Sequence, residues 1–138
     1  CFDLVELMEL PDVVFTGKVN VTEYLGGLDF TILTSISEGQ PLTILEGYAA
    51  KLPAIATDVG NCRGLLYGED DDFGEAGILT HIMNVKEIAD AMVNLARHPV
   101  RRKQMGENGY RRVMAKYTIS DMQQTYRKIY ETFENIDW

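Results

Sequence analysis

Residues 29–60 read DFTILTSISEGQPLTILEGYAAKLPAIATDVG, and the succession of patterns in this stretch decides the fold class. Asp29 to Thr34 is a short run with a continuous apolar middle, as expected of a strand buried on both faces. From about Leu42 to Lys51, the apolar positions Leu42, Ile44, Leu45, Tyr48 and Ala49 suit a helix. Pro53 to Gly60 returns to strand-forming residues and ends in a polar loop. Strand, helix, strand implies parallel pairing through a crossover helix, and so an α/β layer fold. Ligands of such sheets bind outside the carboxyl ends of the strands. The loop carrying Glu38 stands at that end of the first of these strands.

The same alternation extends outward. CFDLVELMEL (residues 1–10) is already in helical periodicity, with Phe2, Val5, Leu7 and Met8 near one face. The chain starts at Cys1 without an initiator Met, so the expectation is a piece of a longer protein. VVFTG (Val13 to Gly17) predicts a strand, and residues 21–28 a short helix weakened by Gly26 and Gly27. Downstream come a short helix from Arg63 to Tyr67, the acidic stretch GEDDDFGE, and a strand from Ala76 to Thr80. Three helices should follow. Asn84 with Glu87 reads as a capping box, His98-Pro99 as a stop and restart, and Ser120 with Gln123 as a second capping box. Met105, Val113 and Tyr117 are core candidates in the middle helix, and Met122, Tyr126, Ile129, Tyr130 and Phe133 are expected to point inward from the last. The fold class is therefore α/β, a Rossmann-like parallel sheet of about four strands with flanking helices, in one partial domain spanning 1–138.

Bulk properties narrow the function. With 138 residues the chain can bury about two-thirds of its unfolded surface. A net charge of −8 argues against nucleic acid as a partner, because phosphate backbones need a basic face. It leaves room for a small phosphate held by backbone N–H groups. No apolar run reaches the roughly 20 residues of a membrane span, and no signal peptide is visible. Cys1 and Cys62 have neither metal-site nor disulfide spacing and read as apolar fillers, so a reducing cytoplasm is the default setting.

Within the loop, Gly39 lets backbone approach a ligand without a Cβ in the way. Pro41 stiffens the chain and suits the start of a helix. The first helical N–H groups, near Leu42 and Thr43, lack intrahelical partners and sit at the positive end of the helix dipole, where a phosphate is welcome. Glu46 lies about one turn into the helix. Four extended and four helical residues put the Glu38 and Glu46 carboxylates about 10 Å apart, near the ribose-to-hexose span of a nucleotide sugar. Carboxylates accept well from vicinal hydroxyls. The residues alone leave two readings open: a ligand site, or a capping glutamate beside a surface glutamate.

SEGQPLTILEGYAAKLPAIATDVGNCRGLL resembles the donor-binding half of the retaining family-4 glycosyltransferases, enzymes of the two-domain GT-B fold. Their E-x7-E motif falls on Glu38 and Glu46, and VFTG, DFTILTS, EGQPLTILEG, LPAIATDVG and AGILT follow in the matching order. The wording of EGQPLTILEGYAA, TDVGNCRGLLYG and the tail MGENGYRRVMAKYT is similar to glycosyltransferases of Pel-type exopolysaccharide synthesis. The resemblance implies sugar transfer from a nucleotide sugar, UDP-linked (UDP-glucose or similar), with retention and without a metal or other cofactor. It implies Glu38 near the donor sugar as the catalytic carboxylate, and Glu46 on the ribose. Gly39, Gln40, Pro41, Leu42 and Thr43 would meet sugar and phosphate. Departures accompany it. The family's diphosphate-neutralising basic pair comes from strands before this chain begins, and the usual glycine pair is Gly60-Asn61 here. The partner N-terminal acceptor domain is missing, so the isolated chain should be inert or a weak nucleotide binder. The resemblance also offers an alternative to inward packing of the last helix, in which it crosses back onto that partner domain and some of Tyr126, Tyr130 and Phe133 are apolar surface. In the order 3-2-1-4-5-6, VVFTG and DFTILT would be third and fourth and would not be neighbours. The expectation is that they pair directly, with a strand-exchanged or edge-paired homo-oligomer as the alternative. The competing functions are a non-catalytic nucleotide or sugar-phosphate binding module and an epimerase of the same fold.

Other candidates read as structural. Asp70 and Asp72 belong to a solvated acidic loop rather than a metal-binding D-x-D. Asp58 is expected to be a cap or loop acceptor, with a donor-site role as the alternative, and His98 suits a helix end. His81 follows the last strand, and a catalytic role for it is not expected. Arg101, Arg102, Arg111, Arg112 and Arg127 read as solvated helix faces. Trp138 lies too near the end to interpret.

Overall fold

The computed structural model describes residues 2–134, and its centre is a parallel sheet of β1 (Thr31–Leu33), β2 (Ala54–Thr57) and β3 (Gly77–Thr80), in the order β1-β2-β3. Around it lie α1 (Phe2–Leu7), α2 (Val21–Tyr24, continued by a 3₁₀ turn at Leu25–Gly27) and α3 (Leu42–Ala49). They are followed by α4 (Cys62–Tyr67), α5 (Val85–Arg97), α6 (Pro99–Lys116) and α7 (Ile119–Glu134). Cys1 and Trp138 fall outside the described residues.

β2 holds the fold together because all four of its residues are buried. Side chains alternate across a strand, so Ala54 and Ala56 face one layer and Ile55 the other. The first layer packs with Ile44, Tyr48, Leu65, Leu66 and Val113, drawn from α3, α4 and α6. The second packs with Ala91, Leu95 and Met105, from α5 and α6. Close approach of α6 to α3 requires a missing side chain: a Cβ on Gly109 would sit 2.5 Å from Cδ1 of Tyr48. Burial pushes the Tyr48 hydroxyl well above the usual tyrosine range, and it donates to the Leu65 carbonyl at 3.3 Å.

Expected helix ends hold in two places. Asn84 Oδ1 accepts from the Glu87 N–H at 3.2 Å, and Pro99 opens α6 directly after His98. The cap of α7 falls two residues earlier than Ser120. Thr118 Oγ1 accepts from the Asp121 N–H at 3.2 Å, and Asp121 Oδ2 accepts from the Thr118 N–H at 3.0 Å. That reciprocal pair satisfies two donors at once.

Three expectations are overturned. Val13 to Gly17 is not a strand, so the sheet has three strands rather than four. A strand needs a backbone neighbour about 4.8 Å away, and none of the described residues supplies one. Val13, Val14 and Phe15 are instead exposed. The apolar stripe of α7 does not point inward, for Met122, Tyr126, Ile129, Tyr130 and Phe133 are all exposed. Arg112 is no solvated residue: it is fully buried, on the same α6 stripe as Met105, Gly109 and Val113. Its guanidinium donates to both Asp71 oxygens at 2.8 and 2.9 Å, and to the carbonyls of Leu65 and Gly74. Arg102 is also partly buried, bonding Asp29 Oδ1 at 2.6 Å and the Leu95 carbonyl at 2.9 Å. Among the described residues, no helix is long and apolar enough to cross a membrane.

The Arg112–Asp71 pair fastens the acidic loop to α6, and Lys116 approaches the same carboxylate at 3.3 Å. Arg112 holds the Asp71 carboxyl well below the usual aspartate range. A depressed folded-state value stabilises above the ordinary aspartate value of about 3.9 and is lost as pH falls through the folded one. Asp71→Asn leaves a buried cation without its counter-charge, and should cost about 3 kcal/mol at neutral pH. Urea unfolding should show the gap to wild type narrowing as pH falls below about 4. Equal stability at pH 7 would remove the pair from this account.

Candidate functional site

The loops leaving β1 (34–41) and β2 (58–61) are tied to each other at the carboxyl edge of the sheet. The Asn61 N–H donates to the Gly39 carbonyl at 3.0 Å, and Asn61 Nδ2 donates to Gln40 Oε1 at 2.7 Å. At the end of β2, the buried Thr57 hydroxyl donates to the Ser35 carbonyl. Gly60 lies against this loop with φ +50, and a Cβ there would be 2.1 Å from the Glu38 carbonyl oxygen. Only glycine fits both the conformation and the contact.

Two helix starts are unusual in opposite ways. Asn61 is the N-cap residue of α4, yet its side chain makes no capping bond. An asparagine in that place ordinarily contributes about 1 kcal/mol by accepting from the first turn. Pro41, the N-cap of α3, has φ −72 and ψ 105 and no side-chain acceptor to offer. The first turn closes with the Ile44 N–H on the Pro41 carbonyl at 3.2 Å, leaving the Leu42 and Thr43 amides uncapped at the positive end of the helix.

The residues singled out from sequence are divided by the fold. Thr43 and Glu46 share the wall of a cleft of about 320 Å³ running along β1, with Val21, Leu25, Ile32 and Leu33. Thr31 also lines it, and its buried Oγ1 has no hydrogen-bond partner. Gln40 and Leu42 line a second groove, with Tyr117, Met122 and Tyr126. Glu38 is half-buried, while Gly39 is exposed with nothing within 4 Å of where a Cβ would stand. Pro41 is buried and sits one position before the helix rather than in its first turn. Glu46 is exposed on α3. The arrangement therefore offers a carboxylate and a hydroxyl on one wall, open amides at the helix start, and backbone without side chains at Gly39.

Nearby groups are poor nucleophiles or already committed. Burial pushes the Cys62 thiol up, and the Glu38 and Asp58 carboxylates push it further, so it stays protonated and unreactive. Asp58 is a loop acceptor, taking a hydrogen bond from Arg63, and not a helix cap. Glu87 accepts from the His81 N–H at 2.8 Å and meets the His81 ring at 2.9 Å, contacts that hold its carboxyl below the usual range. His98 is near Asn94, its Nδ1 2.7 Å from that carbonyl. Asp70 and Asp72 are exposed. No group of three or more His, Cys, Asp and Glu among the described residues is placed to hold a metal ion.

Sequence reasoning missed the roles of Thr57 and Asn61. Thr57 is a hydroxyl at the end of an otherwise apolar strand, which was a readable sign. The diversion of Asn61 from its helix to Gln40 had no local signal, because the partners are 21 positions apart.

Residues 3–98 match the family described as Glycosyl transferases group 1. Over 92% of its length the chain is 29% identical to the N-acetyl-alpha-D-glucosaminyl L-malate synthase of Bacillus anthracis, covering 32% of that protein. It is 26% identical over 87% of its length to the lipopolysaccharide core biosynthesis mannosyltransferase LpsB of Rhizobium meliloti, covering 34% of it. Among solved structures, sucrose-phosphate synthase from Thermosynechococcus elongatus superposes with a TM-score of 0.81 over 95% of this chain and 34% of that one, at 24% identity. That likeness speaks for the fold, a GT-B α/β arrangement. The chain spans about a third of the length of the curated relatives it matches.

The two loop glycines should behave oppositely. Gly60→Ala forces both a left-handed alanine and a clash with the Glu38 carbonyl, and should cost about 2 kcal/mol or more in denaturant unfolding. Gly39→Ala meets open space and should stay within about 0.5 kcal/mol of wild type. A Gly60→Ala protein as stable as the parent would show that the loops do not touch as described.

Proposed function

The chain belongs to the group 1 glycosyl transferases, and from that premise we propose that it is the donor-binding part of a retaining enzyme of family 4. We read it as the Pel exopolysaccharide type, moving a hexosyl unit from a nucleotide sugar to a polysaccharide or related acceptor. The donor is expected to be UDP-linked, such as UDP-glucose, and the setting cytoplasmic. The observation that carries the reading is the uncapped start of α3, with Thr43 and Glu46 on the wall of one cleft beside it.

Each group then has a task. Glu46 accepts from the ribose hydroxyls, and its two oxygens suit a vicinal diol. The Leu42 and Thr43 amides take the diphosphate, whose charge the helix dipole favours. Open space at Gly39 admits the sugar or phosphate against main chain. Gln40 and Pro41 hold the turn between them, and Glu38 stands near the sugar. In the reaction, the bond from sugar C1 to the diphosphate oxygen breaks while the acceptor oxygen bonds C1 on the same face. The acceptor's proton passes to the departing phosphate. The protein contributes position and a field matched to the leaving charge, so no covalent intermediate or metal enters the proposal.

Because the chain covers about a third of its relatives, the proposal places the acceptor site and further phosphate-binding cations in the rest of the longer protein. The 138-residue chain alone is expected to bind weakly and not to turn over.

Calorimetric titration with UDP is the direct test. Weak saturable binding is expected, with Glu46→Ala reducing affinity about tenfold or more, as loss of hydrogen bonds to a charged group implies. An unaltered affinity in Glu46→Ala would move the ribose elsewhere. In the full-length protein, Glu38→Ala should abolish release of UDP from the donor in the presence of acceptor, and normal turnover there would remove Glu38 from the chemistry.

A further inference from the structure

Asn61 occupies a helix N-cap and does not cap, so its side chain is committed to another task. Its Nδ2 donates to Gln40 Oε1 at 2.7 Å, and its backbone N–H donates to the Gly39 carbonyl at 3.0 Å. Two consecutive residues of the loop between Glu38 and α3 are therefore held from one residue of the β2 exit loop. Gly60 presses on the same segment from beneath, against the Glu38 carbonyl. On the other side, Asn61 Oδ1 lies over Gly64 in the first turn of α4, 2.4 Å from where a Cβ would stand. Gly64 thus provides the room that this amide orientation needs.

The bond also orients Gln40. A glutamine amide presents one oxygen and one NH₂ group, and fixing the oxygen on Asn61 leaves the two Nε2 donors uncommitted. Among the described residues, Nε2 has no hydrogen-bond partner. Donors without protein partners, one residue from Gly39 and two before the uncapped helix, are what a diphosphate or sugar hydroxyl would meet.

We propose that Asn61 is a positioning residue: it holds Gln40 by its oxygen, so that the Glu38–Thr43 loop is set in place and Gln40 Nε2 is free to donate to the bound nucleotide sugar's diphosphate. This rests on the donor-site reading above. Asn61 touches no ligand and acts only through Gln40 and Gly39.

Two variants separate the parts. Asn61→Ala removes the side-chain bond to Gln40 and keeps the main-chain bond to Gly39. Gln40→Glu keeps an acceptor for Asn61 Nδ2 but replaces the free donors with a carboxylate that repels phosphate. Hydrogen–deuterium exchange over 38–43 in the ligand-free chain, together with UDP titration and thermal unfolding, reads all three effects. In Asn61→Ala, exchange over 38–43 should accelerate severalfold and UDP affinity fall severalfold, while the midpoint of unfolding moves little. In Gln40→Glu, exchange should match wild type, yet UDP affinity should fall at least as far. Unchanged exchange in Asn61→Ala overturns the positioning role whatever UDP does. Wild-type UDP affinity in Gln40→Glu overturns the donor role of Nε2. A wild-type chain that fails to bind UDP, with exchange accelerated in Asn61→Ala, contradicts the donor-site reading and the donor role together, while the hold on the loop stands.

Discussion

The contact on which the site depends is a main-chain one: the Asn61 amide on the Gly39 carbonyl, with Gly60 in a left-handed turn directly against Glu38. It joins the exits of two neighbouring parallel strands, whose pairing is fixed by the register of Ile32 on Ile55. Since β2 is buried on both faces, its exit is a rigid reference. The β1 exit loop is held against that reference and ends where α3 begins. Position therefore passes from sheet to loop to helix start, and the open amides of α3 are placed by the core rather than by the loop's own residues.

With position supplied in this way, the start of α3 stands without a side-chain cap. An ordinary cap at Pro41 would occupy the amides, and proline has nothing to cap with. Asn61, the N-cap residue of the neighbouring α4, is turned to Gln40. A helix end left open in this way forgoes stability of its own, and the buried α3–α6 contact around Tyr48 and Gly109 compensates by fastening the helix along its length. Arg112 plays the matching part at the far end of α4, where it takes the Leu65 carbonyl and the Asp71 carboxylate.

What the sequence made legible follows from how local each signal is. The strands at 31–33, 54–57 and 77–80 were readable because continuous apolar runs between helical patterns have few other solutions in an α/β chain. The Glu38 to Glu46 loop was readable from its place after a strand. Val13 to Gly17 looked like a strand because composition records the preference and not the partner, and no neighbour is present among the described residues. Periodicity in α7 identifies an apolar stripe correctly but says nothing about what lies opposite, so it does not decide between core and partner surface for Tyr126 and Phe133, which are exposed. The burial of Arg112 has no local signal because its counter-charge is 41 positions away, beyond any window over which charge patterning operates.

The central claim is that the first amides of α3 receive a diphosphate while Glu46 holds the adjoining ribose. Amide chemical shifts of the isotope-labelled chain, followed during titration with UDP, test it most directly. The account predicts saturable shifts at Leu42, Thr43 and Glu46, accompanied by Gly39 and Asn61. Saturable binding that leaves Leu42 and Thr43 unmoved, with the shifts gathered elsewhere on the chain, would contradict it.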